Sequence, residues 1–206
     1  MIKILGKIPR EVTVACSGGV DSMAVLDFLR KGKKKITVAH FNHGTVYARE
    51  AEDVVLSYCR RHHIPTIIGR LSKERPPKTS VEEFWRNERY EFFSGLKGPI
   101  VTAHHLGDVI EWWIFTALHG NPRLIPYRRD DVDVIRPFLT TNKKCFYRWA
   151  NKSNVPYVED PSNDDDSYMR NHIRNNMMKM AMKVNPGLAK TMIKKVEKEY
   201  ACIKEA

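Results

Sequence analysis

Between Val12 and Leu118 the chain alternates short apolar runs with longer stretches in which apolar residues recur at helical spacing. The apolar runs predict four strands, at Val12–Cys16, Ile36–Phe41, Pro65–Gly69 and Pro99–His105. The longer stretches predict helices at about Ser22–Lys31, Arg49–His62 and Gly107–Leu118, and a further helix that begins at Ser80. Ser80 and Glu83 have the spacing of a capping box, which is typical of a helix start.

Strands that alternate with helices predict an α/β fold in which helices cover both faces of a parallel sheet. Ligands of such folds bind beyond the carboxyl ends of the strands. Cys16, Phe41 and His104 lie at three of these predicted ends. We therefore expect the polar residues that follow them to converge on one site.

After Leu118 the alternation stops. A connector rich in proline and arginine contains one short predicted strand, Val132–Ile135, and three helical stretches follow, at about Asn142–Lys152, Ile173–Lys183 and Gly187–Ile203. We therefore divide the chain into a first domain, residues 1–139, and a mostly helical, basic extension, residues 140–206. Residues 170–206 carry nine Lys or Arg against three Asp or Glu, which favours contact with a polyanion.

Composition narrows the classes of protein. Lys and Arg outnumber Asp and Glu by 35 to 24, a formal charge of +11 that favours a nucleic acid partner. The four cysteines are far apart, which argues against a disulfide framework or a zinc knuckle and suits a reducing cytoplasm. No apolar run approaches the roughly 18 residues of a membrane span. We expect a cytoplasmic protein with no membrane partner.

The segment Ser-Gly-Gly-Val-Asp-Ser, Ser17–Ser22, joins the first strand to the first helix. Backbone N–H groups and hydroxyls at a helix N-terminus bind anions, and glycines let the backbone approach a ligand closely. The segment lacks the lysine of a Walker loop, so it is not a cradle of the kinase type. A purely structural alternative is that the glycines only turn the chain and that Asp21 or Ser22 caps the helix.

The segment resembles the pyrophosphatase loop of the N-type ATP pyrophosphatases. Five later segments occur in an order and spacing similar to the catalytic domain of the tRNA(Ile)-lysidine synthetase family. They are "HFNHG" at His40–Gly44, "RNERY" at Arg86–Tyr90, "TAHHLGDVIE" at Thr102–Glu111, "RPFL" at Arg136–Leu139 and "EDPSNDDDSYMRNHIR" at Glu159–Arg174. The resemblance runs from about Val12 to Arg174 and covers the catalytic domain only.

The resemblance implies a Rossmann-like fold of the adenine nucleotide alpha hydrolase type and a tRNA-modifying ligase. With ATP and Mg²⁺, such an enzyme adenylates the 2-oxo group of the wobble cytidine in a tRNA(Ile) with anticodon CAU and releases pyrophosphate. The ε-amine of free lysine then displaces AMP and leaves lysidine. The sequence leaves the oligomeric state open, with a homodimer as one alternative.

Matching positions receive the family's roles as expectations. ATP binding falls to the loop residues Ser17, Gly18, Gly19, Val20, Asp21 and Ser22. Asp21 is expected to act in catalysis. Four further residues are expected to act in catalysis and also to bind lysine: Arg86, His104, Asp108 and Glu111. Metal binding is assigned to Asp21 and Asp108, and tRNA contact to Arg170, Asn171 and Arg174.

The chain also departs from the family pattern. Gly107 stands where the family has the first of two aspartates, and Trp112 stands where a threonine is common. Two alternatives therefore remain. One is a tRNA-thiolating enzyme, which usually needs a pair of cysteines or cluster ligands at its site; here Cys16 adjoins the loop and Cys145 lies in the later domain. The other is a tRNA-binding relative that has lost catalysis, for which Gly107 is the main reason.

Overall fold

The computed structural model describes residues 1–161, 165–166 and 168–201. Its centre is a six-stranded sheet with the spatial order β3-β2-β1-β4-β6-β5. The strands are β1 Glu11–Ala15, β2 Lys35–Asn42, β3 Thr66–Arg70, β4 Ile100–Val101, β5 Arg128–Arg129 and β6 Val134–Ile135. All neighbours pair in parallel except β5, which runs antiparallel to β6 at the edge.

Eight α-helices accompany the sheet in the described part of the chain. They are α1 Val20–Lys31, α2 Ala48–Arg61, α3 Val81–Ser94, α4 Leu106–Leu118, α5 Lys143–Ser153, α6 Met169–His172, α7 Met178–Val184 and α8 Leu188–Glu199. A π-helical turn, Ile173–Met177, joins α6 to α7. None of the helices in this part of the chain has the length and apolar character that crossing a bilayer requires.

Helices cover both faces of the sheet because successive strand residues point to opposite sides. Val38 belongs to the larger apolar cluster, which takes side chains from α1, α2, α4, α5 and α8. Its neighbour Ala39 belongs to a smaller cluster with Tyr90 and Phe93 of α3. The predicted α/β fold with a mostly parallel sheet is therefore confirmed.

The larger cluster also joins the two parts into which the sequence was divided. Phe146 of α5 and Val196 of α8 are fully buried in the same cluster as Val14 of β1. On α1, the buried Asp27 accepts hydrogen bonds from Tyr58 Oη at 2.6 Å and from Trp149 Nε1 at 2.8 Å. The division at residue 139 stays a prediction.

Element boundaries agree with the predictions to within two residues for most strands and helices, and Ser80 accepts the predicted hydrogen bond from Glu83 N at 3.1 Å. Three differences stand out. β4 is only Ile100–Val101, since Thr102–His105 leave the ladder and form the site loop. The antiparallel β5 was not predicted. The last helix ends at Glu199, and residues 202–203 of its prediction lie outside the described residues.

Candidate functional site

The loop between β1 and α1 is stabilised by hydrogen bonds of its own serines. Ser22 Oγ accepts from Ser17 N at 3.1 Å and donates to the Gly19 carbonyl at 3.0 Å. Gly19 is the N-cap of α1 and makes no side-chain capping bond, so neither Asp21 nor Ser22 caps the helix. The first turn of a twelve-residue helix therefore keeps its N–H groups available to an anion.

Gly18 is required by the path of this loop. Its φ is +90°, and a Cβ at this position would lie 2.9 Å from Ala51 Cβ on α2. A side chain would therefore be strained by its backbone and would also collide with the neighbouring helix. Gly18 thus fixes the close approach of the loop to α2.

Asp21 projects from the first turn of α1 with one oxygen unused. Its Oδ1 is buried and has no hydrogen-bond partner among the described residues. Its Oδ2 lies 3.6 Å from His105 Nε2 and 3.8 Å from Lys143 Nζ. A buried carboxylate oxygen without a partner is costly, and a Mg²⁺ ion that keeps its waters and phosphate ligands would satisfy it.

His105 and Asp108 cap α4 reciprocally. The ring Nδ1 of His105 accepts from Gly107 N at 2.9 Å, and Asp108 Oδ2 accepts from His105 N at 2.8 Å. The His105 ring thereby lies between Asp21 and Asp108, at 3.6 Å and 3.4 Å from their carboxylates. The two residues assigned to the metal are thus separated by an imidazole.

Gly107 is explained by this cap. A Cβ at Gly107 would lie 2.7 Å from Cε1 and 3.0 Å from Nδ1 of the His105 ring. Any side chain at this position would displace a ring that is only 4% exposed. The glycine in place of an aspartate is therefore a packing requirement of the His105 cap.

The acidic pair on α4 is neutralised by arginines of the C-terminal segment. Arg170 Nε donates to Glu111 Oε1 at 2.5 Å, and Arg174 lies 2.7 Å from Glu111 Oε2. Arg174 also donates to Asp108 Oδ1 at 3.1 Å. Burial opposes ionisation of Asp108, but His105, His104 and both arginines lower its pKa well below the usual range. Asp108 is therefore charged, and both carboxylates are paired with arginines.

Arg86, expected beside these acids around a bound lysine, lines the same cavity as Glu111, and its role stays a prediction. Arg86 of α3 lies with its guanidinium 5.7 Å from the centre of the Tyr90 ring. Arg170 and Arg174, expected to contact tRNA, are the acids' partners in the described chain. Arg170 in α6 and Arg174 in the π-helical turn lie four positions apart, and both reach the carboxylates of α4.

His104 lies beside the acids and is neutral. Its Nδ1 is 2.8 Å from Thr102 Oγ1. Burial, together with Arg136 and Arg170, outweighs the effect of Asp108 and lowers the pKa of His104 to about 3. At neutral pH the ring can form hydrogen bonds to a ligand but is a weak proton acceptor.

One cavity of about 1130 Å³ is lined by Glu111, Arg170 and Arg174 of this group, whereas Asp21, His105 and Asp108 are not among its lining residues. Its lining contains Ser17 and Gly19 after β1, His40 and Phe41 at the end of β2, and His104 after β4. The expected convergence of the strand ends is therefore confirmed. The cavity wall also contains Arg86, Glu111, Arg170, Asn171 and Arg174 from the list of predicted site residues.

Sequence reasoning missed a second set of cavity residues. They are His43, Trp85, Arg89, Arg129 and Arg136. His43 is neutral, because burial and then Arg89 and His40 lower its pKa to about 4. His40 and His43 belong to a segment that follows a predicted strand end, so their position was a usable signal. Arg129 lies on the edge strand that the pattern did not reveal.

Comparison with known proteins agrees with this architecture. Residues 3–181 match the PP-loop domain. A tRNA(Ile)-lysidine synthase of Staphylococcus aureus is 32% identical over 185 residues, which cover 81% of this chain and 43% of that protein. A tRNA(Ile)-lysidine synthase of Thermotoga maritima is 34% identical over 192 residues, covering 85% of this chain and 46% of that protein. The chain thus spans a little under half the length of the curated relatives it matches.

Among solved structures, an NH3-dependent NAD synthetase from Campylobacter jejuni aligns with a TM-score of 0.48 at 16% identity. The alignment covers 96% of this chain and 88% of that chain.

Proposed function

This chain belongs to the PP-loop domain family, and we propose that it uses ATP to modify a tRNA. The specific reaction we propose is ligation of free lysine to the 2-carbon of the wobble cytidine in a tRNA(Ile) with anticodon CAU. An adenylated cytidine would be the intermediate, and lysidine, AMP and pyrophosphate the products. The names of the relatives at 32% and 34% identity support this reaction.

The observation that carries the proposal is the composition of the cavity. Ser17 and Gly19, at the N-terminus of α1, line the cavity, and the buried side chain of Glu111 lines it as well. The loop suits a polyphosphate, whereas a charged carboxylate suits the ammonium group of an amino acid. The 2-oxo group of cytidine becomes a leaving group only after adenylation. The proposed reaction therefore needs ATP and lysine in one cavity.

ATP would be held by the loop, with its phosphates at the first turn of α1. Mg²⁺ fits Asp21, because Oδ1 of this residue is buried without a partner. The ion would neutralise the charge that develops on the phosphates. For Asp108, metal binding stays a prediction, since its Oδ1 accepts from Arg174 and its Oδ2 from His105 N.

The ammonium group of lysine would replace the guanidinium group of Arg170 or Arg174 at Glu111. Arg170 and Arg174 hold Glu111 in the described chain, so the incoming ammonium group would have to displace at least one of them. The amine must lose a proton before it attacks. His104, whose pKa is lowered to about 3, is a weak acceptor for that proton, whereas Glu111 lines the same cavity and would meet the amine there.

The thiolation alternative is less well supported. Cys16 is 2% exposed, and burial raises the pKa of its thiol to about 11. Its Sγ lies 3.6 Å from Ser22 Oγ and 3.4 Å from Met23 Sδ, inside the core. A nucleophilic sulfur needs the thiolate form and access to substrate, and Cys16 has neither. The loss of catalysis is likewise not implied by Gly107, which the His105 ring requires.

The proposal is tested by release of pyrophosphate from ATP in the presence of tRNA and one amine at a time. We expect release with lysine, less with ornithine, and little with arginine or ammonia. Mass spectrometry of the tRNA nucleosides should then show lysidine. Equal release with all four amines, or with none, would contradict the lysine assignment. A sulfur-containing nucleoside would favour thiolation.

A further inference from the structure

The wall of the cavity formed by α3 and the β5–β6 edge carries a cluster of four arginines on one tyrosine. The guanidinium carbons of Arg129, Arg86 and Arg89 lie 4.2, 5.7 and 5.8 Å from the centre of the Tyr90 ring. Arg136 donates to Tyr90 Oη at 3.1 Å. All of them line the cavity, and we call them the Tyr90 arginine cluster.

This cluster has too few counter-charges. Arg129 forms an ion pair with Asp131 at 2.8 Å. Among residues 1–161, 165–166 and 168–201, Arg86 and Arg89 have no carboxylate oxygen within 4.0 Å. Arg136 gives its described hydrogen bonds to neutral oxygens, those of Pro126 and Tyr90. Three of the four guanidiniums therefore face the cavity without an ion pair to a carboxylate of the described residues.

The four arginines differ in exposure: Arg136 is buried, Arg89 and Arg129 are half-buried, and Arg86 is exposed. Arg136 is 3% exposed, yet its Nε is buried with no hydrogen-bond partner in the described chain. For Arg89, burial, followed by repulsion from Arg170, Arg86 and Arg136, outweighs the effect of Tyr90 and lowers the pKa. Buried positive charges without partners destabilise a fold, so a ligand that supplies negative charge would remove a real cost.

We propose that the Tyr90 arginine cluster is a subsite for a phosphate group. Guanidinium groups match phosphate oxygens in a planar, two-point geometry, and several around one point suit a group with more than one charged oxygen. The cavity of about 1130 Å³ exceeds the usual size of a pocket for one small ligand, so it has room for this group in addition to others.

The phosphate has two possible sources. One is the phosphodiester beside the modified nucleotide, and the other is pyrophosphate released from ATP. The identification of the phosphate as that of the RNA or of pyrophosphate rests on the proposed function, but the subsite itself does not. Binding to the cluster itself requires no turnover, so the two proposals can fail separately.

The experiment measures equilibrium binding of two probes, an anticodon stem-loop RNA and inorganic pyrophosphate, at several salt concentrations. It also measures the KM for lysine. The variants are Arg89→Gln and Arg129→Gln. The second variant, on an edge strand, guards against a folding failure of the first. Arg128→Gln is the matched control, because Arg128 neighbours the cluster but pairs with Asp130 and Asp133 at 2.9 and 2.8 Å.

We expect each cluster variant to bind one of the two probes about tenfold more weakly than the parent, since a charge-assisted contact is lost. If the RNA is the source, the slope of log K against log salt should also fall by about 0.7 to 0.9. Arg128→Gln should stay within about twofold of the parent. Loss of RNA affinity identifies the phosphodiester, and loss of pyrophosphate affinity identifies the product.

Unchanged affinity for both probes in both variants overturns the subsite. So does an equal loss in Arg128→Gln, which would mean general attraction by net charge. A rise in the KM for lysine with unchanged binding of both probes would mean that the cluster binds the carboxylate of lysine. That result would also overturn the phosphate subsite. If RNA affinity falls in the cluster variants while the parent forms no lysidine, the subsite stands and the proposed reaction fails.

Discussion

Glu111→Gln should destabilise the fold and impair the use of lysine. The side chain of Glu111 is 3% exposed and holds Arg170 and Arg174 at 2.5 and 2.7 Å. Glutamine keeps the shape but removes the charge, and its amide would place an N–H group against a guanidinium donor. The segment that begins with α6 would then lose its two ion pairs with Glu111 of α4.

The size of the effect follows from the exposure of the partners. Hydrogen bonds to charged groups contribute about 1.5–3 kcal/mol each. Arg170 is 52% exposed and Arg174 is 30% exposed, so each regains water when released. We therefore expect a net loss of about 2–3 kcal/mol in the free energy of unfolding. For a chain of this length that corresponds to roughly 4–12 °C in Tm.

Thermal and urea unfolding, followed by circular dichroism, measure this loss. Glu11→Gln is the control, because Glu11 and Lys35 are 67% and 75% exposed and their pair at 3.0 Å should contribute below about 0.5 kcal/mol. The KM for lysine should rise about tenfold or more, with the Kd for ATP within about twofold. An unchanged Tm would refute the pairing, and an unchanged KM for lysine would refute the role of Glu111 in the site.

Three further predictions concern other parts of the chain. Asp21→Ala should abolish pyrophosphate release with little change in Tm, because Oδ1 has no partner in the described fold; steady-state turnover and calorimetry measure the two. Asp27→Asn should cost about 2 kcal/mol at pH 7, and the cost should shrink as pH falls below 3.8. Replacing the exposed Lys190 and Lys194 with Gln should lower the salt slope of tRNA binding by about 0.7 to 0.9 for each lysine.

The sign of the Asp27 prediction follows from its pKa. Burial would raise it, but hydrogen bonds from Tyr58, Arg30 and Trp149 outweigh burial and lower it. Its contribution is therefore present above the unfolded value of 3.8 and is lost as pH falls through the folded value. A cost that stayed constant down to pH 2 would contradict this. Turnover by Asp21→Ala at the parent rate, or a salt slope unaffected by the lysines, would contradict the other two.

The sequence determined the features that depend on neighbouring residues. Hydrophobic spacing of 2 or 3.6 residues predicted the strands and most helices, because each face of an element must meet the core. The glycines and hydroxyls of Ser17–Ser22 predicted an anion-binding turn for the same local reason. The order of strands and helices then implied that the strand ends would meet, and Ser17, His40 and His104 do line one cavity.

Only the tertiary structure decided which distant side chains pair. Arg170 meets Glu111 across 59 positions and Arg174 meets it across 63, and no local spacing carries that information. The same holds for β5, whose two residues are too few for a periodic signal, and for Arg129, which that strand brings to Tyr90. Secondary structure follows from local periodicity, whereas the partners of a buried charge are set by how the packed elements cross.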